Sequence, residues 1–192
     1  MNDFQNKWVR KLVNHIEMTL GDKDKVETTM IAAAGVIYKY GDNGEMMVLL
    51  IQRAADDHWP LHWEFPRGKC DKPIGERVDK CALREIKEEC GLNVEIEKFI
   101  DKFQYLADGG KRRTICYNFL CKMKDPNQEV KLSKEHENYM WVTNLGQIDL
   151  MVMPEQRKTL EVVLNKENPI ISTPKNSFTM NNNIEEFLRK VQ

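Results

Sequence analysis

The sequence predicts an α/β fold, a sandwich built around a mixed β-sheet. Three observations carry that prediction. Two pairs of apolar runs, each pair split by a turn signal, read as β-hairpins. Two periodic stretches, one of them between the pairs, read as helices. Strands and helices also alternate without the regular strand–helix–strand rhythm of a doubly wound sheet. The 192 residues fit one domain with a sizeable core.

Taken in order, Phe4, Trp8, Leu12, Ile16 and Leu20 recur every fourth residue beside Val9 and Val13, and Gly21 stops the run. That is an amphipathic helix expected to dock on the domain. The weak basic face of "NKWVRK" makes a partner or membrane role the lesser alternative. "TTMIAAAGVIYKY" and "EMMVLLIQR" flank "GDNG" as the first hairpin, and a long loop follows. From Glu76 to Cys90 neither proline nor glycine intervenes, Val78, Ala82, Leu83 and Ile86 form an apolar stripe, and Gly91 supplies the stop. "NVEIEKFIDKFQYL" and "RRTICYNFLCKM" flank "ADGGK" as the second hairpin, and "YMWV" is a short strand. Pro154 opens a helix over "PEQRKTLEVVL". The tail "NKENPIISTPKNSFTMNNN" is polar and predicted mobile, with one or two helical turns in "IEEFLRKV". No internal repeat is visible.

Hydrophobic residues make up 41% and charged residues 31% of the chain, and the net charge is −1. That balance excludes a general electrostatic attraction to nucleic acid or anionic membrane, so any polyanion must be held by local arrangement. The five cysteines (70, 81, 90, 116, 121) form no CxxC pair and are odd in number. A reducing compartment with most of the cysteines as small buried hydrophobes is the expectation. The first residues lack the apolar core of a signal peptide and no run reaches transmembrane length, which points to the cytoplasm.

The helix over 76–90 poses a chemical problem. Glu85, Glu88 and Glu89 stand at i, i+3 and i+4, so their carboxylates emerge on one face. Exposed like charges at that spacing cost only about 0.2–0.5 kcal/mol. In a cleft of effective dielectric ~20, the same repulsion is on the order of 3 kcal/mol. A divalent cation such as Mg²⁺ or Mn²⁺ removes that cost and suits oxygen ligands. The alternative is a solvated face on which Arg84, Lys80 and Lys87 supply helical ion pairs.

The longer context decides for the metal, because it resembles the Nudix hydrolase family. Glu76, Arg84, Glu85, Ile86, Glu88, Glu89, Gly91 and Leu92 fall in the register of the family box, with Gly68 two residues further upstream than its pattern has it. The loop "KCDKPIG" therefore carries an insertion. "HWEFPRGK" and "EHENYMW" resemble the approach to the box and the closing loop. The resemblance implies a Nudix-like α/β/α sandwich over residues 28–165, with residues 1–27 as an added helix and linker and 166–192 as a tail.

It also implies a reaction. Glu85, Glu88 and Glu89 would hold Mg²⁺ or Mn²⁺ with the backbone carbonyl of Gly68, and Arg84 would orient them by pairing with Glu76. Glu89 and Glu135 compete for the role of base toward water attacking a diphosphate. Arg67 and Lys69 are the expected phosphate cations, while Lys111, Arg112 and Arg113 read as a solvated turn. Trp59, Trp63 and Tyr139 are the aromatic candidates for a base, each such contact being worth about 1–3 kcal/mol. Trp63 reads better as an anchor of the box loop and Trp141 as core. Tyr139 is preferred because "EHENYMW" resembles the diadenosine tetraphosphate hydrolase branch of the family. "WEFPRGK" resembles the mRNA-decapping and RNA 5′-pyrophosphohydrolase branches equally. Dinucleoside polyphosphate is the first substrate expectation and an RNA 5′ end the alternative; inositol pyrophosphates rank third, for want of a dense basic pocket. No DNA or membrane partner is expected. A non-catalytic ligand-sensing module of the same fold is the reading from another class.

Overall fold

The computed structural model describes residues 26–57, 59–70, 75–148 and 153–166. The amphipathic helix and the tail expected from the sequence lie outside the described residues. Within them the strands are β1 (Thr28–Tyr40), β2 (Met46–Arg53), β3 (Trp63–Glu64), β4 (Arg67–Lys69), β5 (Val94–Ala107), β6 (Arg112–Met123) and β7 (His136–Val142). The helices are α1 (Val78–Cys90) and α2 (Pro154–Lys166).

Both expected hairpins are present. β1 and β2 pair antiparallel through Tyr38 and Val48, and β5 and β6 from Val94 opposite Met123 to Ala107 opposite Arg112. What joins them is a parallel pairing of β1 with β6, from Thr28 beside Arg112 to Tyr38 beside Lys122. This makes one mixed sheet in the order β3-β2-β1-β6-β5, with β4 added to β1 and β7 to β2. The segment expected as a long loop contains two short strands: Trp63 pairs with Gln52, and Gly68 with Ala33. β7 begins at His136, three residues before the expected strand.

The period of two along β1 sends its side chains to opposite faces. Ala33 and Ile37 pack with Ala82, Ile86 and Cys90 of α1, beside Leu49, Ile51 and Phe119. Ala32, Ala34, Val36 and Tyr38 face the other way, with Leu160 and Val163 of α2, Leu50 and Phe65. Both faces are thus covered by a helix, which is the three-layer sandwich. Each fully buried Ile or Leu contributes about 1.5–3 kcal/mol to it. No helix among the described residues is long and apolar enough to cross a membrane.

The cysteine expectation is corrected in part. Cys90, Cys116 and Cys121 are buried thiols, but Cys70 and Cys81 form a disulfide. Their spacing carries no CxxC signal, because β4 and α1 are brought together only by the fold.

Candidate active site

α1 is built as its sequence suggests. Val78, Cys81, Ala82, Ile86 and Cys90 are buried on one stripe, and Gly91 ends the helix at φ 69°, returning its N–H to the Lys87 carbonyl. The last turn is also closed by Lys87, whose Nζ donates to the Gly91 carbonyl at 3.0 Å. The three glutamates sit at the edge of the buried stripe with graded exposure. Glu89 is buried, the Glu85 side chain is 13% exposed and that of Glu88 58%.

Arg84 organises this row. It donates to both oxygens of Glu76 at 2.9 and 2.8 Å, to Glu85 Oε1 at 2.6 Å and to Glu88 Oε2 at 3.2 Å. Nη2 also reaches the Lys69 carbonyl at 2.8 Å, tying α1 to β4. Strand and helix approach so closely at this point that a β-carbon on Gly68 would overlap the Glu85 carboxylate. Only glycine leaves the room. The Cys70–Cys81 disulfide clamps the same two elements.

Behind the row lies a buried ionic cluster that the sequence did not announce. Glu64 accepts from Arg53 at 2.6 Å and from Arg67 Nε at 2.7 Å. Burial opposes its charge, but Arg67, His136 and Arg53 together hold the Glu64 carboxyl far below the usual range. Arg67 turns its Nη1 to the Tyr105 hydroxyl at 2.8 Å, with the ring of Tyr105 5.5 Å from the guanidinium. Nε and Nη1 of the guanidinium expected to meet phosphate thus have protein partners. The backbone N–H of Arg67 donates to Glu89 Oε2 at 2.8 Å. Burial above all, then the charge of Glu64, pushes the Glu89 carboxyl well above its ordinary value. Glu85 is raised as well, by burial against the pull of Arg84, with Glu88 and Glu76 adding like charge.

An open cleft of about 630 Å³ exposes the row. Glu85, Glu88, Glu89, Arg84, Gly68, Lys69, Arg67 and Glu135 all line it. Glu76 stands behind Arg84, outside the wall. Tyr139 is 47% exposed on β7, also outside it. Trp59 and Tyr105 supply the aromatic faces of the cleft instead, and Arg112, paired with Asp108 at 3.2 Å, contributes a cation. Trp59 stood among the sequence candidates. Tyr105 gave no signal, because its place at the cleft depends on where the end of β5 lies relative to β4. Trp63 sits on β3 against the second core, and Trp141 packs on the first, with Lys39 Nζ 4.5 Å from its ring.

The donor set fits a hard divalent cation: carboxylate oxygens, a backbone carbonyl, and a glycine that keeps the approach clear. Among the described residues, however, no three acidic, histidine or cysteine side chains already converge on one ion-sized position. Arg84 explains this by holding Glu85 and Glu88 to itself. Arg84 takes one oxygen of each, Glu85 Oε1 and Glu88 Oε2, and leaves the other oxygen of each carboxylate to a cation.

A family profile described as "NUDIX domain" matches residues 29–161. The bis(5′-nucleosyl)-tetraphosphatase [asymmetrical] of Mus musculus is 35% identical over 124 residues, 62% of this chain and 80% of that protein. The protein of the same name from Caenorhabditis elegans is 31% identical over 115 residues, 58% of this chain and 78% of that one. The nucleoside triphosphatase NudI of Escherichia fergusonii is 30% identical over 124 residues, covering 59% and 85%. Among solved structures, a C. elegans Ap4A hydrolase binary complex superposes with a TM-score of 0.52 at 27% identity, covering 71% of this chain and 98% of that one. The MutT protein of Methanosarcina mazei Go1, with a TM-score of 0.57 and 23% identity over 74% and 97%, shares the fold.

Proposed function

The chain belongs to the NUDIX domain family, and from that premise we propose that it hydrolyses the P–O–P bridge of dinucleoside polyphosphates with Mg²⁺ or Mn²⁺, residues 28–165 forming the catalytic unit. The observation that carries this reading is the meeting, in one cleft, of the α1 carboxylate row with the aromatic faces of Trp59 and Tyr105. A substrate that is a polyphosphate at one end and a base at the other matches both. Its likeness to the mouse and nematode tetraphosphatases supports the same choice.

Glu85, Glu88 and Glu89, with the Gly68 carbonyl, would hold the cation. Bound there, it would neutralise phosphate oxygens and ease attack by water. Arg84 keeps the row in place through Glu76 and the β4 backbone. Glu89, a buried carboxylate on the cleft wall, is the first candidate to accept the proton of the attacking water. Glu135, exposed on the facing rim, is the second candidate for that proton. Lys69 and Arg112 face the anionic chain of the substrate, with Arg67 supporting the floor beneath. Tyr139, exposed on β7 beyond the cleft wall, would meet a second nucleoside reaching over that strand.

The test is a product assay with Mg²⁺ or Mn²⁺ on diadenosine tetraphosphate, with capped and 5′-triphosphorylated RNA as parallel arms. AMP and ATP are the expected products. Faster turnover of the RNA ends moves the substrate assignment to RNA, and no turnover of any diphosphate defeats the reading.

A further inference from the structure

Between Glu89 and the loop that carries Glu135 stands one buried side chain to which the proposed reaction gives no part. His136 opens β7 with its side chain fully buried, opposite Arg53 in the ladder with β2. Its Nδ1 lies 3.3 Å from Ser133 Oγ, and the same hydroxyl accepts from the Glu135 backbone N–H at 3.3 Å. Ser133 N–H in turn donates to the Glu89 carbonyl at 2.9 Å, and His136 N–H to the Ser133 carbonyl at 3.2 Å. The other ring nitrogen, Nε2, has no hydrogen-bond partner among the described residues and lies 3.6 Å from Glu64 Oε1 and 4.0 Å from Glu89 Oε1.

The carboxylates that Nε2 faces favour the tautomer with the ring hydrogen on Nε2. Nδ1 then accepts from the Ser133 hydroxyl, which keeps a lone pair for the Glu135 N–H. The opposite tautomer would aim an Nε2 lone pair at two buried carboxylates. Glu64 has two arginines, whereas Glu89, among the described residues, has the Arg67 N–H on Oε2. The Nε2–H dipole faces Glu64 Oε1, the nearer, and the remaining oxygen of Glu89. At 3.6–4.0 Å it acts through its field rather than as a hydrogen bond.

We propose that His136 is a positioning residue for the hydrolysis: Nε2–H sets the plane of the Glu89 carboxylate, and Nδ1, through Ser133, sets the loop that presents Glu135. The proposal rests on the pyrophosphohydrolase reading. Polar neighbours that orient ligating groups typically change metal affinity or activity 10- to 100-fold when removed.

The experiment compares the full chain with His136→Leu, His136→Gln and Ser133→Ala. It reads kcat and KM on diadenosine tetraphosphate, Mn²⁺ affinity of the substrate-free protein by electron paramagnetic resonance, and the melting temperature. His136→Leu is expected to lower kcat 10- to 100-fold with KM within about threefold, and to weaken Mn²⁺ several-fold. His136→Gln, which restores an amide donor, is expected to recover most of both losses. Ser133→Ala should lower kcat while leaving Mn²⁺ affinity near wild type, because it cuts only the arm to Glu135. If His136→Leu melts earlier but keeps kcat and Mn²⁺ affinity, or if Gln is no better than Leu, the proposal is overturned. Should His136→Leu fail to fold, the Gln and Ser133→Ala variants decide alone: kcat and Mn²⁺ affinity near wild type for Gln with a lowered kcat for Ser133→Ala uphold the proposal, and any other pattern overturns it. Should the wild type itself leave the tetraphosphate intact, the substrate reading fails, and the Mn²⁺ comparison still judges His136.

Discussion

Arg67 Nε donates to Glu64 Oε2 at 2.7 Å, a buried ion pair in the wall of the cleft. Both side chains are nearly inaccessible, at 10% and 3% exposure. An arginine next to the box glycine is thereby part of the foundation. Removing one member of a buried ion pair leaves its partner's charge uncompensated, which is far more damaging than losing a surface pair.

Arg67→Ala should therefore lower stability by about 3 kcal/mol in chemical denaturation. Lys69→Ala, exposed on the same strand, should leave stability unchanged and raise KM several-fold. Were Arg67→Ala fully stable and altered only in KM, its guanidinium would be a substrate ligand after all.

Glu88→Gln separates chemistry from folding, because that side chain is 58% exposed and, among the described residues, pairs with Arg84 alone. Stability is expected within about 0.5 kcal/mol of wild type. Turnover is expected to drop at least about 100-fold if the side chain holds the cation. A wild-type rate would remove Glu88 from the metal site.

Raised carboxyl pKa values make a thermal prediction with a definite sign. Glu89 and Glu85 bind protons more tightly folded than unfolded. Their contribution to stability is complete below the unfolded carboxylate pKa and is lost as pH rises through the folded values. The metal-free protein should thus melt progressively earlier as pH climbs above the ordinary carboxylate range. Mn²⁺ should recover the melting temperature more at pH 8 than at pH 5. A cation effect that is flat across this interval argues against a site made by these two glutamates.

Trp59 and Tyr139 offer a contrast in substrate binding. A stacked base is worth about 1–3 kcal/mol, so Trp59→Ala should raise KM roughly 5- to 100-fold. Tyr139→Ala should have the smaller effect, because the ring stands outside the cleft wall. Steady-state kinetics on the tetraphosphate would reveal the reverse order at once.

The disulfide joins residues 11 apart in sequence. Closing a loop of that size stabilises by about 2–3 kcal/mol on the chain-entropy account. Reducing agent should lower the denaturation midpoint of the wild type and leave a Cys70→Ser variant, already lowered, unmoved. Equal midpoints for reduced wild type, oxidised wild type and variant would show that the bond contributes nothing.

The elements and the acidic row were legible along the chain because their signals are local. Periods of two and 3.6, the stop at Gly91 and the i, i+3, i+4 spacing of Glu85, Glu88 and Glu89 all depend on neighbours within a few residues. β7 starting at His136 was missed because "HEN" is polar and shows no apolar run; pairing with β2 makes it a strand. β3 and β4 were missed because strands of two and three residues are too short to show a period.

By itself, then, the sequence determined the sandwich class, the helix that carries the carboxylates and the candidates for metal and proton transfer. Only the tertiary structure decided how the charges pair around the cleft: Arg67 bound to Glu64, Tyr105 brought to the wall, Cys70 joined to Cys81, His136 set between two carboxylates. Each of these is a contact between segments remote in sequence. Whether a charge is buried and paired is a property of what surrounds it in space, and no spacing along the chain encodes that.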